Sequence, residues 1–116
     1  MALNRDYANW LRRAVRRVAA RERPDRLALW DFPESDFAAW CCMVKRPAVG
    51  CYADYLQLLR QVERDQRRLG RKTVRVHCTV ARMRDELRAR AWPNNARRRA
   101  AVIALLAAEG RGDVGE

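Results

Sequence analysis

Thr73-Val74-Arg75-Val76-His77-Cys78-Thr79-Val80 is the stretch in which apolar and polar residues alternate one by one. A period of two puts successive side chains on opposite faces of an extended backbone, so the stretch reads as a strand. Val74, Val76 and Cys78 form its apolar face, and Thr73, Arg75, His77 and Thr79 its polar face. A lone strand leaves a row of backbone N–H and C=O groups unpaired, so it needs a partner. Two are open. A second copy of the chain can supply the same strand across a two-fold axis. Alternatively, Leu27-Ala28-Leu29-Trp30, a strand or a tight extended link, can pair with it inside one molecule.

Helical periods surround this strand. Residues 5–22 form an amphipathic pattern after a candidate cap, Asn4, with Tyr7, Trp10, Leu11, Ala14, Val15 and Val18 on one side and Arg5, Arg12, Arg13, Arg16 and Arg17 on the other. Pro24 ends it. Beyond Pro33, Ser35 or Asp36 can cap a short helix striped by Phe37, Trp40, Cys41 and Val44. A third helix runs from about Tyr52 to Leu69, and Gly70 stands where a left-handed terminating residue belongs. Arg60, Arg64, Arg67, Arg68 and Arg71 gather towards its C-terminal end, where cations suit the helix dipole. After the strand, Thr79 can cap a helix over 80–91. Trp92-Pro93-Asn94-Asn95 turns the chain, and a last helix covers roughly 96–108. The expected fold is mainly α with one or two short strands, an α+β chain of about five helices closing on a strand–helix–helix unit. Residues 1–70 are its helical part, 71–108 the strand–helix–helix module and 109–116 a frayed tail, all within one compact domain.

The chain has 116 residues, 25 Lys plus Arg and 14 Asp plus Glu, for a formal charge of +11. Residues 1–26 carry eight Arg and three acids, 60–116 carry fifteen basic groups and seven acids, and the segment between is slightly acidic. Coding bias explains arginine over lysine but not the excess over acids. Such an excess favours phosphate backbones or acidic protein faces. Charges break every apolar run, so no membrane span is expected and a membrane is a disfavoured partner. The start of the chain has no apolar signal region, so a reducing cytoplasm is the expected setting. Cys41, Cys42, Cys51 and Cys78 lack a Cys-x-x-Cys spacing, so they read as reduced apolar groups rather than zinc ligands with His77.

The inventory argues against an enzyme. Ser35 is the only serine and His77 the only histidine. On a strand, His77 and Cys78 face opposite sides and cannot act as base and nucleophile. Asp31, Glu34 and Asp36 read as turn and cap acids rather than a carboxylate site. No glycine-rich phosphate loop is present, and no cofactor is expected.

In order, spacing and polarity, residues 72–108 resemble the ribbon-helix-helix family of DNA-binding proteins. The resemblance implies a homodimer whose paired strands enter the major groove. Thr73, Arg75, His77 and Thr79 would then read bases. Lys72 and Arg71 would touch the backbone, and Asn94, Asn95 and Arg97 would hold a phosphate at a helix start. Two features depart from the family: Trp92-Pro93-Asn94-Asn95 replaces its glycine-containing turn, and about seventy residues precede the module.

The pattern Gly50-x-Tyr52-x-x-Tyr55, then Gly70-x-x-x-Val74-x-Val76, a helix and an Arg-rich close resembles small early-region proteins of Mu-like transposable phages. That resemblance implies a regulator or a host-takeover protein. The sequence therefore supports a DNA-binding regulator working as a dimer. The alternative is an accessory or anti-defence inhibitor that binds a host protein through Trp30, Phe32, Phe37, Trp40, Tyr52 and Tyr55, aromatics that read equally as core. An RNA or membrane-surface binder using residues 5–22 comes third.

Overall fold

A computed structural model describes residues 26–110 together with the backbone of 113–115. The helix expected over 5–22 lies outside the described residues. The elements run β1 (Arg26–Asp31), a 3-10 turn (Glu34–Asp36), α1 (Phe37–Val44), α2 (Tyr52–Arg68), β2 (Lys72–His77), α3 (Val80–Ala89), α4 (Ala96–Glu109) and β3 (Asp113–Gly115). Strand β2 is central. It pairs in parallel with β1, from Arg26 opposite Lys72 to Asp31 opposite His77. On its other edge it pairs antiparallel with β3, Val76 lying opposite Val114. Parallel strands cannot be joined by a tight turn, and here α1 and α2 make the crossover.

This arrangement corrects the expected fold class. In place of a mainly α chain of about five helices ending in a strand–helix–helix unit, the described residues hold four α-helices. They are built around a parallel β1–β2 pair, with one strand ahead of the helices and the other mid-chain. The physical reason is that β2 cannot stand at the head of a separate module. Its hydrogen bonds run back to β1, and Cys78 N–H extends the ladder to Asp31 O at 2.9 Å. Of the C-terminal residues, Asp113–Gly115 pair with β2 as β3.

Both sheet faces are covered, and each strand buries a different one. β1 buries Leu27, Leu29 and Asp31, while β2 buries Val74 and Val76. The register sets Leu29 beside Arg75 and Trp30 beside Val76, so these buried sets lie on opposite faces. Strand β2 therefore alternates between buried Val74 and Val76 and half-buried Thr73 and Arg75, with His77 exposed at its end. Phe32, Trp40 and Tyr55, 1%, 2% and 6% exposed, form an aromatic knot beside the sheet. Phe32 stacks on Trp40 at 5.4 Å and lies 4.6 Å from Tyr55 between ring centroids. Tyr55 Oη donates to Trp30 O and Tyr52 Oη to Phe32 O, each at 2.6 Å. The two hydroxyls pin α2 to the end of β1.

Helix ends follow local chemistry. Gly70, at φ +74°, ends α2, with its N–H on Arg67 O and the Arg71 N–H on Gln66 O, both at 3.0 Å. Thr79 caps α3 by accepting from Arg82 N–H at 3.1 Å, and Asn95 caps α4 by accepting from Arg98 N–H at 2.8 Å. Asp36 Oδ2 reaches 44 positions along the chain to accept from Val80 N–H at 2.9 Å, a second cap that ties the start of α1 to the start of α3.

Candidate nucleic-acid interface

The polar face of β2 is occupied by its own chain. Arg75 makes a two-pronged bond to Glu63 of α2, Nε to Oε2 at 3.0 Å and Nη2 to Oε1 at 2.7 Å. The Glu63 carboxylate holds the Arg75 guanidinium above its ordinary value, although partial burial opposes this. His77 Nδ1 bonds Asp31 Oδ2 at 2.7 Å. Thr73 is half-buried, and Thr79 serves as the α3 cap. Lys72 and Arg71 stay near the surface, at the opposite end of the strand from His77. The expected base readers thus sit on one sheet face, but β1 and β3 hold both edges of β2. Among the described residues β1 pairs along the whole of β2, and β3 lies opposite Arg75–His77 only.

The second expected cluster is also engaged. Asn94 Nδ2 donates to Met43 O at 2.9 Å, and Asn94 Oδ1 accepts from Arg99. Asn95 is the α4 cap. Asn94, Asn95 and Arg97 are all exposed, and of the three only Arg97 makes no side-chain hydrogen bond among the described contacts. The neighbouring Trp92 is flanked by Arg98, 4.8 Å from its ring centroid, and Arg90, at 5.6 Å. Arg90 is also ion-paired to Glu86. Cys42, Met43, Arg84, Leu87, Arg88, Trp92 and Asn94 line a groove beside this tryptophan.

Phe32, Trp40 and Tyr55, offered by the sequence as contact anchors, are core. Trp30 and Tyr52 are half-buried and hydrogen-bonded, Trp30 Nε1 to Cys78 O at 2.7 Å. Phe37 packs at the edge of the same cluster, 5.7 Å from Trp40. Burial pushes the Tyr52 phenol up, with the Asp31 and Glu34 carboxylates adding and Arg75 opposing. Cys78 is buried and its thiol is pushed up to about 11 by desolvation, whereas Cys42 and Cys51 are exposed. No three His, Cys, Asp or Glu side chains could together hold a metal ion among the described residues.

The arrangement sequence reasoning missed lies on α2. Arg60, Arg64 and Arg67 are all exposed. At about 100° per residue, spacings of four and three put them within an arc of about 60°. With Ala53, Gln57 and Glu63 they line a groove along the helix. Among the described residues lining it, Glu63 is the only carboxylate, and both of its oxygens face Arg75. Among the described residues no ion pair to Arg60, Arg64 or Arg67 is formed, and the three guanidiniums stand together on one helix face. The 60/64/67 spacing was visible in the sequence, but the engagement of Glu63 was not.

No family model, no curated protein and no solved structure matches the chain. No helix among the described residues is long and apolar enough to cross a membrane.

Proposed function

We propose that the protein binds nucleic acid by its phosphate backbone, through Arg60, Arg64 and Arg67 of α2. The supporting observation is the groove in which these three arginines stand while the single carboxylate beside them is held by Arg75. Exposed arginine clusters of this kind displace the counterions condensed on phosphates, which makes binding strong, salt-dependent and largely indifferent to sequence. The charge of +11 extends the attraction beyond the groove. In this reading one chain is the binding unit, and the setting is a reducing cytosol in which Cys42 and Cys51 remain thiols. The resemblance to early phage proteins fits a regulator or a host-takeover factor. The test is fluorescence anisotropy with labelled DNA and RNA of matched mixed sequence. The triple Arg60→Gln, Arg64→Gln, Arg67→Gln variant should bind at least tenfold more weakly, and binding equal to that of the unaltered protein refutes the proposal.

A host-protein partner remains the second reading, and the groove at Trp92 favours it. Trp and Arg are the side chains that anchor interfaces, and Arg84, Arg88 and Trp92 line that groove together. A stoichiometric partner captured from nuclease-treated lysate and lost with Trp92→Ala supports it. Capture that vanishes on nuclease treatment removes it.

A further inference from the structure

We infer that the His77–Asp31 pair is the general base of a metal-independent RNA-cleaving site; the inference rests on the nucleic-acid reading and adds a substrate class to it. His77 Nδ1 donates to Asp31 Oδ2 at 2.7 Å. That bond sets the neutral imidazole with its proton on Nδ1 and leaves the Nε2 lone pair free. The two partners are unequally placed, the Asp31 side chain being 12% exposed and that of His77 52%. A covered carboxylate that orients an open imidazole also stabilises the imidazolium formed on proton uptake. The pair stands at the C-terminal ends of the parallel strands β1 and β2, the end at which open α/β sheets present ligands.

The base is linked to the arginine groove by one ion pair. Arg75 lies two residues before His77 on the same face of β2, about 7 Å along the strand. Its partner Glu63 is itself part of the groove wall. The neighbouring hydroxyl and thiol are turned elsewhere: Tyr52 Oη donates to Phe32 O, and Cys78 Sγ points to Thr79 O at 3.5 Å. Among the described residues no nucleophile is set on His77, an arrangement that suits a substrate carrying its own. RNA carries one beside every phosphodiester, the 2′-hydroxyl. The step balances within substrate and water. O2′–H gives its proton to His77 Nε2, O2′ bonds to the adjacent phosphorus, and the P–O5′ bond breaks. The 5′-oxygen takes a proton from water, and the imidazolium returns its proton to solvent. The products are a 2′,3′-cyclic phosphate end and a 5′-hydroxyl end.

The test incubates the full chain, with EDTA present, with labelled mixed-sequence RNA, the matching DNA and the matching 2′-O-methyl RNA. The expected result is cleavage of RNA alone, with cyclic phosphate ends. The rate should fall about 10²–10⁴-fold in His77→Ala with RNA affinity unchanged. Asp31→Asn, a change at the positioning residue, should lower the rate and leave affinity intact. Because Asp31 is buried, His77→Gln at the exposed position provides a second variant that keeps the fold. Intact RNA in the presence of bound protein overturns the inference and spares the binding proposal. Cleavage that survives in both His77 variants, or that needs a divalent ion, overturns it as well. Failure of the unaltered chain to bind RNA overturns it too, and failure to bind both RNA and DNA overturns the binding proposal as well.

Discussion

Glu63→Gln should move stability and binding in opposite directions. In the fold, Glu63 gives Arg75 two charge-assisted bonds, and the two side chains are 21% and 27% exposed. Water screens a pair this open, so its loss costs about 1 kcal/mol rather than the larger figure for a buried pair. In the groove, Glu63 is the carboxylate beside Arg60 and Arg67, three and four residues away on one helix face. Such neighbours stand about 6 Å apart. Removing a unit negative charge at about 6 Å from a seated phosphate gains about 0.7 kcal/mol in water, or about threefold in affinity. Urea denaturation followed by circular dichroism reads the first effect, and anisotropy with labelled duplex DNA at low salt reads the second. A variant that loses stability and binds no tighter than the unaltered protein would place the phosphates away from this groove.

Other expectations follow from single contacts. Gly70→Ala should destabilise by about 1–2 kcal/mol, since φ is +74° and no atom lies within 4 Å of an added Cβ, leaving backbone strain as the whole cost; a urea midpoint equal to that of the unaltered protein contradicts this. Phe32→Ala should cost about 3–5 kcal/mol, because it empties the centre of the aromatic knot; a loss below 1 kcal/mol by the same measurement would mean the rings are not close-packed. The Cys78 thiol rises from 9.0 to about 11 on folding, so the fold favours its neutral form. Its contribution is complete below pH 9 and is lost as the pH climbs towards 11. With Ellman's reagent at pH 8, Cys42 and Cys51 should react in the native protein and Cys78 only on unfolding; equal rates contradict its burial.

What could be read from sequence was local. The end of α2 at Gly70 and the cap Thr79 depend on residues within a few positions of each other, and a one-dimensional pattern carries that information. The pairing of β2 did not, because strand hydrogen bonds join residues 46 positions apart, such as Arg26 and Lys72. Parallel strands buried on both faces also lack the telltale solvent side. Leu27-Ala28-Leu29-Trp30, being short and wholly apolar, was therefore ambiguous, and Arg75 and His77 looked outward although Glu63 and Asp31 engage them. The aromatic middle misled for a similar reason. Phe32, Trp40 and Tyr55 have the composition of an interface, and only their burial marks them as core. The arginine stripe at 60, 64 and 67 was legible as spacing, yet it explained itself equally as dipole compensation until the fold showed which carboxylate was engaged.

The most direct measurement of the central claim is the salt dependence of duplex DNA binding by the unaltered protein and by the Arg60→Gln, Arg64→Gln, Arg67→Gln variant. Each phosphate contact contributes about 0.9 to the slope of log affinity against log salt, so three lost contacts should flatten the slope by about 2.7. Equal slopes for the two proteins would show that phosphates bind elsewhere on the chain.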